Sequence, residues 1–209
     1  MSITIHSMGK IENILRRVRR LARRTPIMCA RALRAEGIHP EYLRRLCAGG
    51  LLVKVGRGVY MLPDAEVTPR HGLALAATVV PKGVICLLSA LRFHGIGTQS
   101  PSEVWVAIDQ RAARPRAAYP RMRFVRSSGR SLTAGVEVRR IEGVPVKVAC
   151  VARTVADCFK HRNKIGLDVA LEALREARRG RRCTNDELWR YARLCRVTET
   201  MRPYMEAMT

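Results

Sequence analysis

Apolar positions in the first third of the chain recur at helical spacing and then give way to short β-branched runs. Over residues 10–24, Ile11, Ile14, Leu15, Val18, Leu21 and Ala22 share one face, while Arg16, Arg17, Arg19, Arg20, Arg23 and Arg24 occupy the other sides. This predicts a helix that packs inward and meets phosphate outward. Residues 28–36 read as a second helix, with Ala30, Leu33 and Ala35 available for burial and Gly37 at the expected stop. Pro40 suits the first turn of a third helix, because its missing N–H needs no intrahelical partner there, and His39 before it is pushed towards extended geometry. In that third helix Leu43, Leu46 and Cys47 define a buried stripe, leaving Glu41, Tyr42, Arg44, Arg45 and Ala48 outward before Gly49-Gly50 closes it. Residues 51–55 and 59–62 then read as two strands of a tight hairpin, with Gly56 and Gly58 able to supply positive φ and Arg57 at the tip. Helix, turn, helix and hairpin in this order outline a winged helix-turn-helix, a reader of double-stranded DNA.

The stretch PDAEVTP at 63–69 has a proline at each end and two acids, which predicts a linker dividing the chain into domains 1–65 and 66–209. Beyond it, residues 70–80 and 84–93 read as helices separated by Pro81-Lys82-Gly83, the second ending at Gly95. Strand patterns cover 103–109, 121–126, 136–141 and 144–149, with Glu142-Gly143 as a hairpin turn. The period returns to helical over 152–160, 167–178, 185–195 and 199–208, and Thr184 with Glu187 resembles a capping box ahead of Asn185. The expected fold class is α+β, an N-terminal winged helix-turn-helix followed by a mixed domain with a small sheet and C-terminal helices.

Charge narrows the set of partners. Lys and Arg number 39 against 17 Asp and Glu, a formal net charge of +22, which points to a polyanion. Arg111, Arg114, Arg116, Arg121, Arg123, Arg126 and Arg130 run without an intervening acid, and Arg175, Arg178, Arg179, Arg181 and Arg182 form a further cluster. The seven cysteines (Cys29, Cys47, Cys86, Cys150, Cys158, Cys183 and Cys195) are odd in number, scattered and without a C-x-x-C pair. That disfavours a zinc site or disulfide framework and suits a reducing cytosol. With no apolar leader-like stretch at the N-terminus and no long uncharged apolar run, the expected location is cytoplasmic and no membrane partner is expected.

Enzyme chemistry finds little support. Ser89 and His94 are five apart on one predicted helix and face different sides, a poor nucleophile–base pair. Ser89 is expected to satisfy a backbone carbonyl and His94 to sit near the cation-favouring helix end. Asp157, Asp168 and Glu172 flank a basic loop without a paired-carboxylate motif, so ion pairs of Asp157 or Glu172 with Arg153, Arg162 or Lys164 are expected instead. No catalytic residue, metal site or cofactor is expected. A basic nuclease-like enzyme and an RNA-binding module are the alternatives; aromatic residues make up only 5%, and Tyr42 and Tyr60 do not form a stacking platform.

Three blocks, LLVKVGRGVYMLP, VICLLSALRFHGIGTQSPSEVWVAI and ARTVADCFKHRNKIGLDVALEALREA, occur in the order found in the AbiEi family of antitoxin transcriptional regulators, which the chain resembles over nearly its whole length. The resemblance implies an N-terminal winged helix that binds inverted repeats in the promoter of its own two-gene operon, and a C-terminal antitoxin domain. It also implies a nucleotidyltransferase-type toxin as partner, in a type IV pair that need not form a stable complex. On this resemblance Tyr42, Arg44 and Arg45 lie on the recognition helix and Arg57 on the wing, while the pattern of the first helix itself sets Arg16, Arg20 and Arg23 to meet phosphates. The antitoxin surface draws on Ser89, Arg92, His94, Asp157, Lys160, Arg162, Asn163 and Lys164. The long arginine-rich first helix is more basic than the family pattern needs.

Overall fold

The computed structural model describes residues 2–115 and 119–208, with side chains described from residue 9 onward. Its contacts divide the chain into two compact units: Met1–Pro81 with Pro115–Pro120 and Arg140–Pro145, and Lys82–Arg114 with Arg121–Arg139 and Val146–Thr209. The architecture is α+β throughout.

The first unit opens with α1 (Ser2–Ala22), which starts well before the predicted residue 10 and carries Ile14, Val18 and Ala22 into the core. β1 (Met28–Cys29) and α2 (Ala30–Ala35) replace the single helix predicted over 28–36. Met28 is buried and pairs with Tyr60, and the Cys29 thiol caps α2 by accepting from the Ala32 N–H, so a residue pair with helical neighbours is drawn into a sheet edge. Of the three α2 residues available for burial only Leu33 is buried; Ala30 is half-buried and Ala35 exposed.

Gly37 closes α2 with φ +71°, which lets its own N–H reach Arg34 and the Ile38 N–H reach Leu33, a paired closure that satisfies two terminal carbonyls and buries Ile38. α3 (Pro40–Ala48) begins one residue after His39, whose Nδ1 accepts from the Glu41 N–H. β2 (Val53–Gly56) and β3 (Val59–Met61) follow, with Gly58 at φ +69° making the turn after Arg57. The resulting antiparallel sheet has the order β1-β3-β2, with a register shift between Lys54 and Gly56.

α4 (His71–Val79) completes the unit after a non-helical stretch that includes the predicted linker at 63–69. The carboxylate of Glu142 accepts from the Thr68 N–H and hydroxyl at 2.7 and 2.9 Å and lies 2.6 Å from His71 Nδ1. Burial pushes the Glu142 carboxyl up, but these hydrogen bonds outweigh it and hold it below its ordinary value. The compact boundary therefore falls after α4, beyond the 63–69 stretch. At the next residue a Cβ on Gly143 would run into the Arg24 carbonyl, so the predicted Glu142-Gly143 turn fits only glycine there.

The second unit is built on a five-stranded mixed sheet. β4 (Val84–Ile85), α5 (Leu87–His94), β5 (Val104–Asp109), β6 (Met122–Ser127), α6 (Arg130–Thr133), β7 (Val136–Ile141) and β8 (Val144–Ala149) lead into α7 (Val151–Lys160), α8 (Arg162–Ile165), α9 (Leu167–Arg179), α10 (Asn185–Cys195) and α11 (Thr198–Glu206). The sheet order is β6-β5-β4-β8-β7, with β4 antiparallel to β5 and parallel to β8. Val84 and Ile85 were predicted to start a helix; they are instead the buried centre of this sheet, where the β-branched pair meets Ala107 and Val106. The short α6 and α8 were not predicted, and the Thr184–Glu187 capping box is present with both reciprocal bonds.

α7 is the hub, with Val155, Ala156, Cys158 and Phe159 fully buried and α5, α9 and α10 packed on it. Arg153, 2% exposed, donates to the carbonyls of Ser131, Leu132 and Ala134 and approaches Asp157 at 3.4 Å. Asp157 also accepts from the Cys195 thiol. Burial and the neighbouring Asp157 push that thiol up to about 12, so it stays protonated. One guanidinium thus fastens the α6 turn to the hub helix. Arg153→Ala should lower the free energy of urea unfolding by about 3–5 kcal/mol, because it strands a carboxylate and three carbonyls; a loss under about 1 kcal/mol would show the network to be dispensable.

Candidate nucleic-acid interface

α3 owes its orientation to burial of one side. Leu43 and Leu46 are 2% and 1% exposed and pack with Ile14, Val18, Leu33 and Leu52. Cys47, expected in the same stripe, is only half-buried, and Tyr42, expected outward, also packs against this core. The tyrosine ring is large enough to cover the core's edge while leaving part of its surface open. Gly50 then ends the helix at φ +68°, with its N–H on Cys47 and that of Leu51 on Leu46, repeating the closure seen at Gly37.

The opposite side is cationic. The side chains of Arg44 and Arg45 are 78% and 48% exposed. Arg44 grips both oxygens of Glu41, Nε to Oε2 at 3.1 Å and Nη2 to Oε1 at 2.9 Å, and Arg45 Nε donates to Oε1 at 3.1 Å. The hydrogen bonds from Arg44 and then Arg45 hold the Glu41 carboxyl down to about 2. The guanidinium of Arg45 lies 5.9 Å from the centre of the Tyr42 ring. Glu41 was expected only as an outward residue; its bridging role was visible in the i,i+3 and i,i+4 spacing to the two arginines.

Arg57 is exposed at the turn of the β2–β3 hairpin, and with Arg31 it borders a cleft of about 380 Å³ floored by Ala30, Val59, Val79 and Pro115. On α1, Arg16, Arg20 and Arg23 are exposed, and Arg20 pairs with Glu36 at 3.3 Å. Leu43 and Leu46 therefore present Arg44 and Arg45 on the face they were expected to occupy, in the same unit as Arg57 and the α1 arginines.

The residues expected to form an antitoxin surface do not share one environment. Ser89 is buried, donates to the Glu103 carbonyl and accepts from the Trp105 N–H, so it belongs to the packing of α5 on β5 and not to a surface. His94 Nε2 lies 2.7 Å from the Ala149 carbonyl, and burial holds the imidazole below its ordinary value although that carbonyl pulls it up. The two side chains have separate partners and make no nucleophile–base pair. Asp157 is committed to Arg153 and Cys195, and Arg162 to the Phe159 carbonyl. Lys160, Asn163 and Lys164 are exposed where α7 passes into α8, and Arg92 is exposed on α5 with Ser100 as partner.

The basic run at 111–130 is partly structural. Arg126 donates to the carbonyls of Asp109, Gln110 and Ala112, and Arg123 stacks 4.8 Å from the Trp105 ring. Arg116 lies outside the described residues. In the other cluster Arg178 caps the Met205 carbonyl and Arg182 the His94 carbonyl. Among the described residues no group of three or more His, Cys, Asp or Glu could hold a metal, and no helix is long and apolar enough to cross a membrane.

Comparison with known proteins reaches the N-terminal part of this arrangement most directly. No protein of curated function matches the chain. The crystal structure of the RV2827C protein from Mycobacterium tuberculosis is similar in fold, with a TM-score of 0.58 at 17% identity over 83% of this chain and 69% of that one. Residues 10–63, from α1 to the end of the hairpin, match the family model described as transcriptional regulator, AbiEi antitoxin. The match stops short of the blocks beginning at Val84 and Ala152, which resemble that family by sequence pattern alone. Residues 10–63 are thus similar to the AbiEi antitoxin family of transcriptional regulators.

Proposed function

We propose that the chain is a cytoplasmic DNA-binding antitoxin that represses its own toxin–antitoxin operon and counteracts a nucleotidyltransferase-type toxin of the type IV class. The observation that carries this reading is the exposed Arg44–Arg45 face of α3, set over the buried Leu43 and Leu46. A helix so mounted fits the major groove of duplex DNA, where a guanidinium fork matches the O6 and N7 acceptors of guanine. Arg57 at the hairpin tip then meets the adjacent backbone or minor groove, and Arg16, Arg20 and Arg23 neutralise phosphates. Tyr42 contributes ring area at the edge of the contact. The match of residues 10–63 to a family of transcriptional regulators supports the DNA partner, and promoter inverted repeats are its expected form.

In this reading the DNA-binding role resides in residues 1–65 and the antitoxin role in residues 66–209, a division of roles that does not coincide with the compact units, since α4 belongs to the first. Lys160, Asn163 and Lys164, exposed at the α7–α8 corner, are the residues we assign to the antitoxin surface, with Arg92 as a further exposed cation. No step of the proposed role requires catalysis, a metal or a cofactor.

Two measurements test this reading. Replacing Arg44 or Arg45 by Ala should weaken binding to the promoter duplex by about 1–3 kcal/mol per base-reading residue in a gel-shift titration, with a smaller loss on random DNA. Equal losses on both duplexes would make the residue a phosphate contact, and tighter binding to RNA of equal length would favour an RNA-binding module. In cells co-expressing the toxin, the full chain carrying Lys160→Glu and Lys164→Glu should lose rescue from growth arrest while keeping promoter binding. Undiminished rescue would remove that corner from the antitoxin role.

A further inference from the structure

The two arginines of α3 are not free cations. They share one carboxylate. Glu41 stands at the second position of the helix, in the first turn, where residues of a groove-docked helix approach base edges. Its two oxygens occupy the Nε–Nη2 side of Arg44, and one of them also takes the Nε proton of Arg45. In Arg45 this leaves both terminal nitrogens unoccupied by Glu41, and in Arg44 Nη2 gives one N–H to Glu41 and keeps the other beside Nη1, so the terminal edge of each fork can still make the two parallel hydrogen bonds that guanine accepts. The Tyr42 ring supports Arg45 from another direction. The Glu41 carboxyl, held down to about 2, remains ionised wherever the protein is folded near neutral pH.

The carboxylate has a second effect. Two cations and one anion leave the cluster with a single net positive charge, so a phosphate approaching it gains less than it would from two unshared arginines and meets repulsion from Glu41. Binding to any duplex through phosphate contacts is thereby weakened, whereas a base edge that aligns with the held forks receives them already oriented.

We infer that Glu41 is a specificity-determining residue of the DNA interface: by bridging Arg44 and Arg45 it orients both forks for base edges and penalises indiscriminate phosphate binding. This rests on α3 being the helix that reads DNA.

The test uses the full chain, a duplex that the wild type selects from a random-sequence pool, and a scrambled duplex of equal length. Glu41→Gln keeps the side-chain size and removes the charge. We expect it to bind the scrambled duplex roughly threefold to tenfold more tightly, with a salt slope more negative by up to about 0.9, and to lose roughly tenfold in discrimination. The effect should vanish when Arg44 and Arg45 are both Ala, since the carboxylate then has nothing to orient. Unchanged affinity for both duplexes would overturn the inference, leaving the bridge an ordinary solvated ion pair. A parallel loss on both would overturn it equally, because Glu41 would then support binding in general. If the wild type selects no site from the pool, the inference falls together with the DNA-reading role of α3, a result distinct from the other two because there the wild type discriminates.

Discussion

Everything in the proposed interface depends on where Leu43 and Leu46 go. Both side chains are nearly inaccessible and meet Ile14 and Val18 of α1 and Leu33 of α2, so the rotation of α3 about its axis is fixed by apolar contact. Burying a leucine is worth about 1.5–3 kcal/mol, whereas the exposed ion pairs on the other side of the helix contribute at most about 1 kcal/mol each. The hydrophobic side therefore decides the orientation and the charged side follows it. The closures at Gly37 and Gly50 fix the helix ends, since each places a residue in the left-handed region and satisfies two carbonyls at once.

This hierarchy explains what the sequence made legible. Helix spacing, Pro40 at a helix start, glycine stops and the Thr184–Glu187 box act through contacts within a few residues, and α3, α9 and α10 lie where the pattern places them. β7 and β8 were also read within their true bounds, because Glu142-Gly143 is a strong local turn. The misreadings at Met28–Cys29 and Val84–Ile85 share another cause. Each is a two-residue strand preceding a helix, and its extended form is set by a distant partner, Val59 and Tyr60 in one case and Val106, Ala107 and Val148 in the other. Nothing within the local window distinguishes such a pair from the first turn of the helix that follows.

The functional residues divide along the same line. Arg44 and Arg45 were legible because their exposure is the complement of a leucine stripe. Ser89 and His94 were not assignable to a surface, since each owes its environment to β5 or to the end of β8. Glu41 differs again: its place on the outward face follows from the leucine stripe, but its bridge follows from the i,i+3 and i,i+4 pairs it makes with Arg44 and Arg45, which a face-by-face pattern does not resolve.

The high positive charge of the chain has, for the same reason, more than one meaning. Arg126, Arg153, Arg162, Arg178 and Arg182 all spend guanidinium donors on backbone carbonyls. A planar group with five donors suits that task, and arginines so engaged are held by acceptors that cannot move without unfolding the segment. They add to the field around the protein but are poorly placed to turn towards a ligand. Arg44 and Arg45 are held differently, by an exposed carboxylate on the same turn of helix, an acceptor that a base edge can join or replace without disturbing the backbone. Net charge alone cannot separate these two populations; the partner that each guanidinium already has does so, and on α3 two neighbouring arginines share one exposed carboxylate.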